Sequence, residues 1–235
     1  MREYVYGKNV IFEKLKNNDG SIIELYLLAN RHDDIIKLAK ANKIKVNIIN
    51  KNQIDKMIKG NHQGVVAEVK PFKYSNLEDI ISDKEYPLIL LLDQIEDPHN
   101  FGAIIRSAVA VGVDGIIILN RRSVGVTPTV AKIAAGALDH VKIASVNNLK
   151  RTIETLKDKG YWVVGSDLEK AVNYTDIDYK MKLVLVMGSE GSGMSRLVRE
   201  SCDYIAKIPM SNVESLNVSV ATGVLLYEVL RQRSI

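Results

Sequence analysis

From residue 87 onward six short apolar runs recur along the chain: LILLL, GIIIL, VKIASV, YWVVG, KLVLVM and DYIAKI. Runs that are apolar at nearly every position are strands covered on both faces, and helical stretches separate these. The pattern predicts an α/β domain around a mostly parallel six-stranded sheet. Punctuation agrees: Thr127 can cap a helix with Pro128 at its first position, and Gly160 follows the helical LKRTIETLKDK. In the last helix Val218, Thr222, Leu225 and Val229 fall at i, i+4, i+7 and i+11, one apolar face that should pack on the sheet.

The preceding segment alternates differently. Helical YGKNVIFEKLKN, HDDIIKLAKANK and KNQIDKMIKG are interleaved with extended SIIELYLLAN, KVNIIN and QGVVAEV, which reads as a small α/β unit. A polar stretch bracketed by Pro71 and Pro87 follows. The expected organisation is therefore a domain over 1–75, a linker over 76–86 and a second domain over 87–235.

Composition narrows the classes. No apolar run approaches the roughly 20 residues that span a bilayer, and the opening MREYVYGKNV lacks a signal-peptide core, so a cytoplasmic protein without a membrane partner is expected. The single cysteine, Cys202, excludes an internal disulfide. His32, His62, His99 and His140 lie far apart, and no metal site is expected. Charge is unevenly placed: residues 1–84 hold 15 Lys+Arg against 11 Asp+Glu, whereas 85–235 hold 17 of each. A basic first part on a neutral main domain suits a protein that holds a polyanion, and it equally suits a solvated lysine-rich surface.

In open parallel sheets ligands gather beyond the carboxyl ends of the strands. Three loops there carry chemistry. DQIEDPHNFGAIIRSAVAVGV places three acids, Pro98 and Asn100 before a helix on which Arg106 projects away from the stripe of Ile104, Ile105, Ala108 and Val111, toward a cleft or toward water. LVLVMGSEGSGM ends a strand in three glycines and Glu190. It fails as a dinucleotide fingerprint, because the glycine order is wrong and the position late. It fails as a phosphate loop, because no Gly-Lys-Ser/Thr follows and Glu190 would repel a phosphate. A nucleotide-dependent oxidoreductase or kinase is disfavoured accordingly. IPMSNVESLNVSVATG enters the last helix through Ser215 and Asn217, both natural N-caps. Three polar strand-end loops together favour one shared site.

DPHNFGAIIRSA, VLVMGSEGSGMS and IPMSNVESLNVSVATGVLLYE resemble, in order and spacing, the signature motifs of the SpoU family of RNA ribose 2'-O-methyltransferases. YGKNVIFEKL and NHQGVVAEV resemble the RNA-binding domain, similar to ribosomal protein L30e, of the branch that methylates a guanosine in the peptidyl-transferase region of 23S ribosomal RNA. The resemblance implies a deep carboxyl-terminal trefoil knot, a homodimer through the knotted domain, and S-adenosylmethionine as cofactor. Gly188, Ile208 and Leu216 match the positions that hold that cofactor, largely through backbone groups. Arg106 matches the arginine regarded as base or activator of the ribose hydroxyl; Asn100, Glu190, Ser215 and Asn217 match the remaining polar positions. The alanine-rich TPTVAKIAAGAL, 127–138, would allow close packing near the knot or dimer contact, or is a plain buried helix. Methylation of transfer RNA or of another ribosomal site, and a ribosome-assembly factor without catalysis, remain alternatives.

Overall fold

The computed structural model describes residues 3–18, 20–29, 32–169 and 171–234. These divide into two compact units, one of Met1–Lys73 with Val126–Asp139, the other of Tyr74–Gly125 with His140–Ile235.

The first unit is built on strands β1 (Glu3–Tyr6), β2 (Ile22–Leu28), β3 (Lys45–Ile49) and β4 (Val65–Val69), in the order β1-β4-β2-β3. β4 runs antiparallel to both β1 and β2, and β3 runs parallel to β2. Helices α1 (Lys8–Asn17), α2 (Asp33–Ala41) and α3 (Lys51–Met57) complete it, and Ile11, Leu15, Ile35 and Ala39 close over Leu25, Leu27, Val65 and Ala67. The three helices and three of the strands fall on the segments whose spacing predicts them. β1 does not; four residues are too few to display alternation, and only pairing with β4 makes them a strand. α3 begins in a reciprocal capping box, Asn50 accepting from Gln53 N and Gln53 accepting from Asn50 N.

In the second unit β5 (Leu88–Leu92), β6 (Gly115–Leu119), β7 (Lys142–Val146), β8 (Trp162–Ser166), β9 (Val172–Asn173), β10 (Leu183–Met187) and β11 (Tyr204–Lys207) form one sheet in the order β7-β6-β5-β10-β8-β11-β9. Every pairing is parallel. Six of these are the strands read from the sequence; the seventh, β9, is a two-residue edge that no periodicity could announce. β5 and β10 lie side by side at the centre, buried at all their positions. Helices α4 (Pro98–Val111), α6 (Leu149–Asp158), α7 (Arg196–Arg199) and α8 (Val218–Arg233) cover the sheet. Ile89, Leu91, Val184 and Val186 pack with Leu149, Ile153 and Leu156 of α6 and Val198 of α7. α4 packs against α8.

Helix α5 (Pro128–Ala134), capped by Thr127, belongs to the first unit, where it packs on β1 with Val130 and Ala134 buried. The alanine-rich segment is thus a helix of that unit and not part of the sheet's packing.

The carboxyl end of α8 is stitched to the strand entrances. Arg233 donates from Nε to Tyr179 O at 3.1 Å, from Nη1 to Tyr86 O at 2.8 Å and from Nη2 to Met181 O at 3.0 Å. Gln232 accepts from Tyr179 N at 3.0 Å and donates to Ile177 O at 3.0 Å. Arg231 pairs with Glu228 through two bonds of 2.7 and 2.8 Å, which holds the buried carboxyl of Glu228 below its ordinary value. Nη2 also reaches Pro87 O at 3.5 Å, so Arg233→Ala strips four carbonyls of a charged donor, and should cost about 3 kcal/mol and lower Tm by roughly 9 °C. Thermal unfolding beside Arg233→Lys, which can keep only part of the fork, checks this.

Candidate active site

Three loops meet at the carboxyl ends of β5, β10 and β11. The β5 loop ends at Asp97, whose side chain caps α4 by accepting from His99 N at 2.8 Å; Asp93, almost wholly buried, instead accepts from Ser195 N at 2.7 Å and ties the β10 loop to β5. The β10 loop folds back on itself, with Ser189 and Gly193 exchanging two backbone bonds of 3.0 Å. That fold explains Gly188. A Cβ there would lie 2.1 Å from Gly193 C and 2.2 Å from Met194 N, so the missing side chain is demanded by the loop's own closure.

Asn217 both caps a helix and reaches the polar residues of the neighbouring loops, one with each end of its amide. Oδ1 accepts from Ser219 N at 2.9 Å and Val220 N at 3.4 Å, capping α8. Nδ2 then points back to Asn100 Oδ1 at 3.0 Å and Glu190 Oε1 at 2.5 Å. Asn100, mostly buried on the first turn of α4, donates to the same Glu190 Oε1 at 2.7 Å. The trio thus fixes one carboxylate oxygen with two amide donors, and Glu190 Oε2 has no hydrogen-bond partner among the described residues.

Two cavities flank the β10 loop. One, of about 280 Å³, is lined by Gly188, Glu190, Ile208, Ser215 and Leu216 together with residues of β8's exit. The other, about 430 Å³, is lined by Gln94, Glu96, Asp97, Asn100 and Gly191. Ser189, Glu190, Ser192 and Val218 border both, so Glu190 stands at their junction. The three residues matched to cofactor binding share the first cavity, and Ser215 joins them there without capping α8. Arg106 lies apart: it is exposed on α4, lines neither cavity and makes no hydrogen bond or ion pair among the described residues.

The sequence reading passed over one wall. Ser166 and Asp167, at the exit of β8, line the first cavity with Arg199 of α7. Arg199 Nη2 lies 2.6 Å from Asp167 Oδ2, and Nη1 2.8 Å from Glu169 Oε2. The signal was present, since GSD ends a strand at the same side of the sheet as the three loops chosen. Burial pushes the nearby Cys202 thiol up to about 12, which removes it from nucleophilic chemistry near neutral pH.

The first cavity mixes apolar Ile208, Met210 and Leu216 with the carboxylates of Glu190 and Glu214, neither of which is paired with a base among the described residues. Its one arginine, Arg199, is already engaged by two acids. Such a lining suits a partly apolar ligand that carries positive charge, and opposes a phosphate. The donor set therefore fits a sulfonium cofactor.

A parallel α/β protein with a small-molecule cavity and a polar second cavity at its strand ends is a ligand-transforming or ligand-binding protein of the open-sheet class. The pattern of the SpoU rRNA Methylase family matches residues 87–227, and that of the RNA 2'-O ribose methyltransferase substrate-binding domain matches residues 4–75. The chain belongs to the SpoU rRNA methylase family.

Over 241 aligned positions it is 45% identical to a Bacillus subtilis (strain 168) protein carrying the provisional name TrmH family tRNA/rRNA methyltransferase YacO, covering 99% of this chain and 96% of that one. The SpoU methyltransferase AviRb from Streptomyces viridochromogenes, solved with the cofactor AdoMet, superposes with a TM-score of 0.86 at 26% identity, covering 99% and 91% of the two chains. An AdoMet-bound rRNA methyltransferase from Sinorhizobium meliloti gives 0.82 at 28% identity, covering 98% and 87%. These neighbours are knotted folds, and the chain shares that architecture. It is an RNA methyltransferase of this family.

Proposed function

We propose that this protein methylates the 2'-hydroxyl of a ribose in RNA, with a guanosine near the peptidyl-transferase centre of 23S ribosomal RNA as the substrate. The observation that carries the reaction type is the Asn100–Glu190–Asn217 cluster standing between two cavities. Its cofactor is S-adenosylmethionine, held in the cavity of Gly188, Ile208 and Leu216. When bound it would supply an activated methyl group for transfer to the ribose oxygen.

The chain's own residues orient and deprotonate. Glu190, pinned at Oε1, offers Oε2 to a ribose hydroxyl entering from the second cavity, and Asn100 and Asn217 keep that carboxylate from turning away. Ser215 lies at the mouth of the first cavity as a further hydroxyl for orientation. Arg106 brings a permanent positive charge to the hydroxyl once RNA is bound. It favours the developing alkoxide as a fixed cation, and the proton leaves to Glu190 or to water.

The basic first part of the chain and its match to a substrate-binding domain support ribosomal RNA as substrate. A homodimer forms through the second unit: Val220 and Tyr227, seven residues apart on one face of α8, are 52% and 54% exposed and need a cover. Sedimentation at twice the monomer mass is expected, and a monomer at micromolar concentration would refute it. No helix among the described residues is long and apolar enough to cross a membrane, and the proposed compartment is the cytoplasm.

S-adenosylmethionine at a hundred times its Kd should stabilise the protein by about 2.7 kcal/mol, with NAD and ATP inert in the same melt. The decisive experiment maps 2'-O-methyl positions in total RNA from cells with and without the protein. Loss of one guanosine methylation in 23S RNA is expected; loss at a transfer RNA position would move the substrate, and no loss would favour an assembly role.

A further inference from the structure

The second cavity is acidic, with Glu96, Asp97 and Glu190 around it, so the phosphates of an RNA strand whose ribose enters there must lie elsewhere. The strand order gives the place. β6 adjoins β5 on the side away from the cofactor cavity, and β7 adjoins β6. In a parallel sheet their exits emerge at the same end, each about 4.8 Å further from β5.

At the exit of β6 stand Arg121 and Arg122, both exposed and both without an ion pair or hydrogen bond among the described residues. No carboxylate among the described residues neutralises them, in contrast to Arg199, Arg231 and Lys157 of the same unit, each paired with an acid. The loop that carries them is fixed. Asn120 donates from its side chain to Asn147 Oδ1 at the β7 exit and from its backbone to Val146 O at 3.0 Å; Val124 N donates to Ile95 O at 2.8 Å, tying the loop to the rim of the second cavity. Arg122 itself is held at φ 56°, a left-handed conformation that costs a residue with a long side chain about 1 kcal/mol and persists only where the surroundings impose it. One strand further out Arg151, exposed on the first turn of α6, also lacks an ion pair among the described residues, whereas its neighbour Lys150 has Glu154 at 3.8 Å.

We propose that Arg121 and Arg122, continued by Arg151, form a phosphate-binding track that holds the RNA strand beside the ribose to be methylated. The assignment rests on the RNA methylation reading above and adds to it a surface on the second unit. Planar guanidinium forks bind phosphate oxygens two at a time, and a rigid loop loses little entropy when it does so. The track fixes the position and direction of the strand and carries no base recognition of its own.

The test measures binding of a 23S RNA fragment transcript and of a transfer RNA transcript across a salt series, for wild type and R121A/R122A, with cofactor affinity measured by calorimetry. The double variant should reduce the slope of log Kd against log salt by about 1.4 to 2 and weaken binding about 20-fold at 0.15 M salt, with the Kd for S-adenosylmethionine unchanged. R121K/R122K should recover most of the slope. K159A/K180A, which removes the same charge from the opposite end of the strands, should leave it as in wild type. An unaltered slope in R121A/R122A, or an equal loss in K159A/K180A, overturns the track. Wild type that binds neither transcript removes the RNA reading itself, and the track with it.

Discussion

Arg106→Ala is expected to lower kcat for methyl transfer to RNA by about 10³-fold while S-adenosylmethionine binds with unchanged Kd. The separation of the two effects follows from geometry. Arg106 lines neither cavity, has no partner among the described residues whose loss would disturb α4, and sits six residues beyond Asn100, about 9 Å along the helix axis. Its removal should leave the fold and the cofactor cavity intact and take away only the charge proposed to act on the substrate. Arg106→Lys keeps a cation but loses the planar fork, so an intermediate rate is expected. The pH profile separates roles: a group acting as a fixed cation leaves the wild-type profile unaltered in shape when replaced by lysine, whereas a base would shift it. Near-wild-type turnover by Arg106→Ala would take the residue out of the mechanism.

Gly188→Ala is expected to lower stability by about 4 kcal/mol, drop Tm by roughly 12 °C and weaken S-adenosylmethionine binding more than 100-fold. The added methyl would sit 2.1 to 2.5 Å from backbone atoms of Gly193 and Met194, and backbone cannot swing aside as a side chain can. Relief requires opening the Ser189–Gly193 pairing, which carries Glu190 away from Asn100 and Asn217 and reshapes the first cavity. Gly191→Ala is the matched control, since a Cβ there meets nothing within 4 Å. Equal melting and equal cofactor affinity for the two variants would show that the loop closure is not what position 188 requires.

Much of this molecule is written in short-range pattern. The six fully or largely apolar runs of the second unit became its strands because a run without polar positions can only be accommodated between two covering layers. The loops that carry Asn100, Glu190, Ser215 and Asn217 were identifiable for a related reason: polar and glycine-rich sequence at the exit of a buried parallel strand has to face the open end of the sheet. Even so, Ser166, Asp167 and Arg199 were passed over. Their loop carries no glycine cluster, and Arg199 approaches from a four-residue helix with no periodicity to reveal it.

Other features belong to the assembled chain alone. Strand order is one, because the pairing of Leu88 with Leu183 joins residues almost a hundred positions apart and leaves no local trace. The membership of Val126–Asp139 in the first unit is another: its apolar face is legible, but a face does not name what it packs on. The same limit governs the site. Sequence determined which strand ends would be polar, which residues could cap α8 and that a glycine loop with a glutamate could not cradle a phosphate, since these depend on residue type and near neighbours. Only the tertiary structure decided that one amide, Asn217, caps a helix with its oxygen and holds Glu190 with its nitrogen, and that Arg106 stands outside the cluster, because hydrogen-bond direction and side-chain convergence are fixed by how distant segments pack.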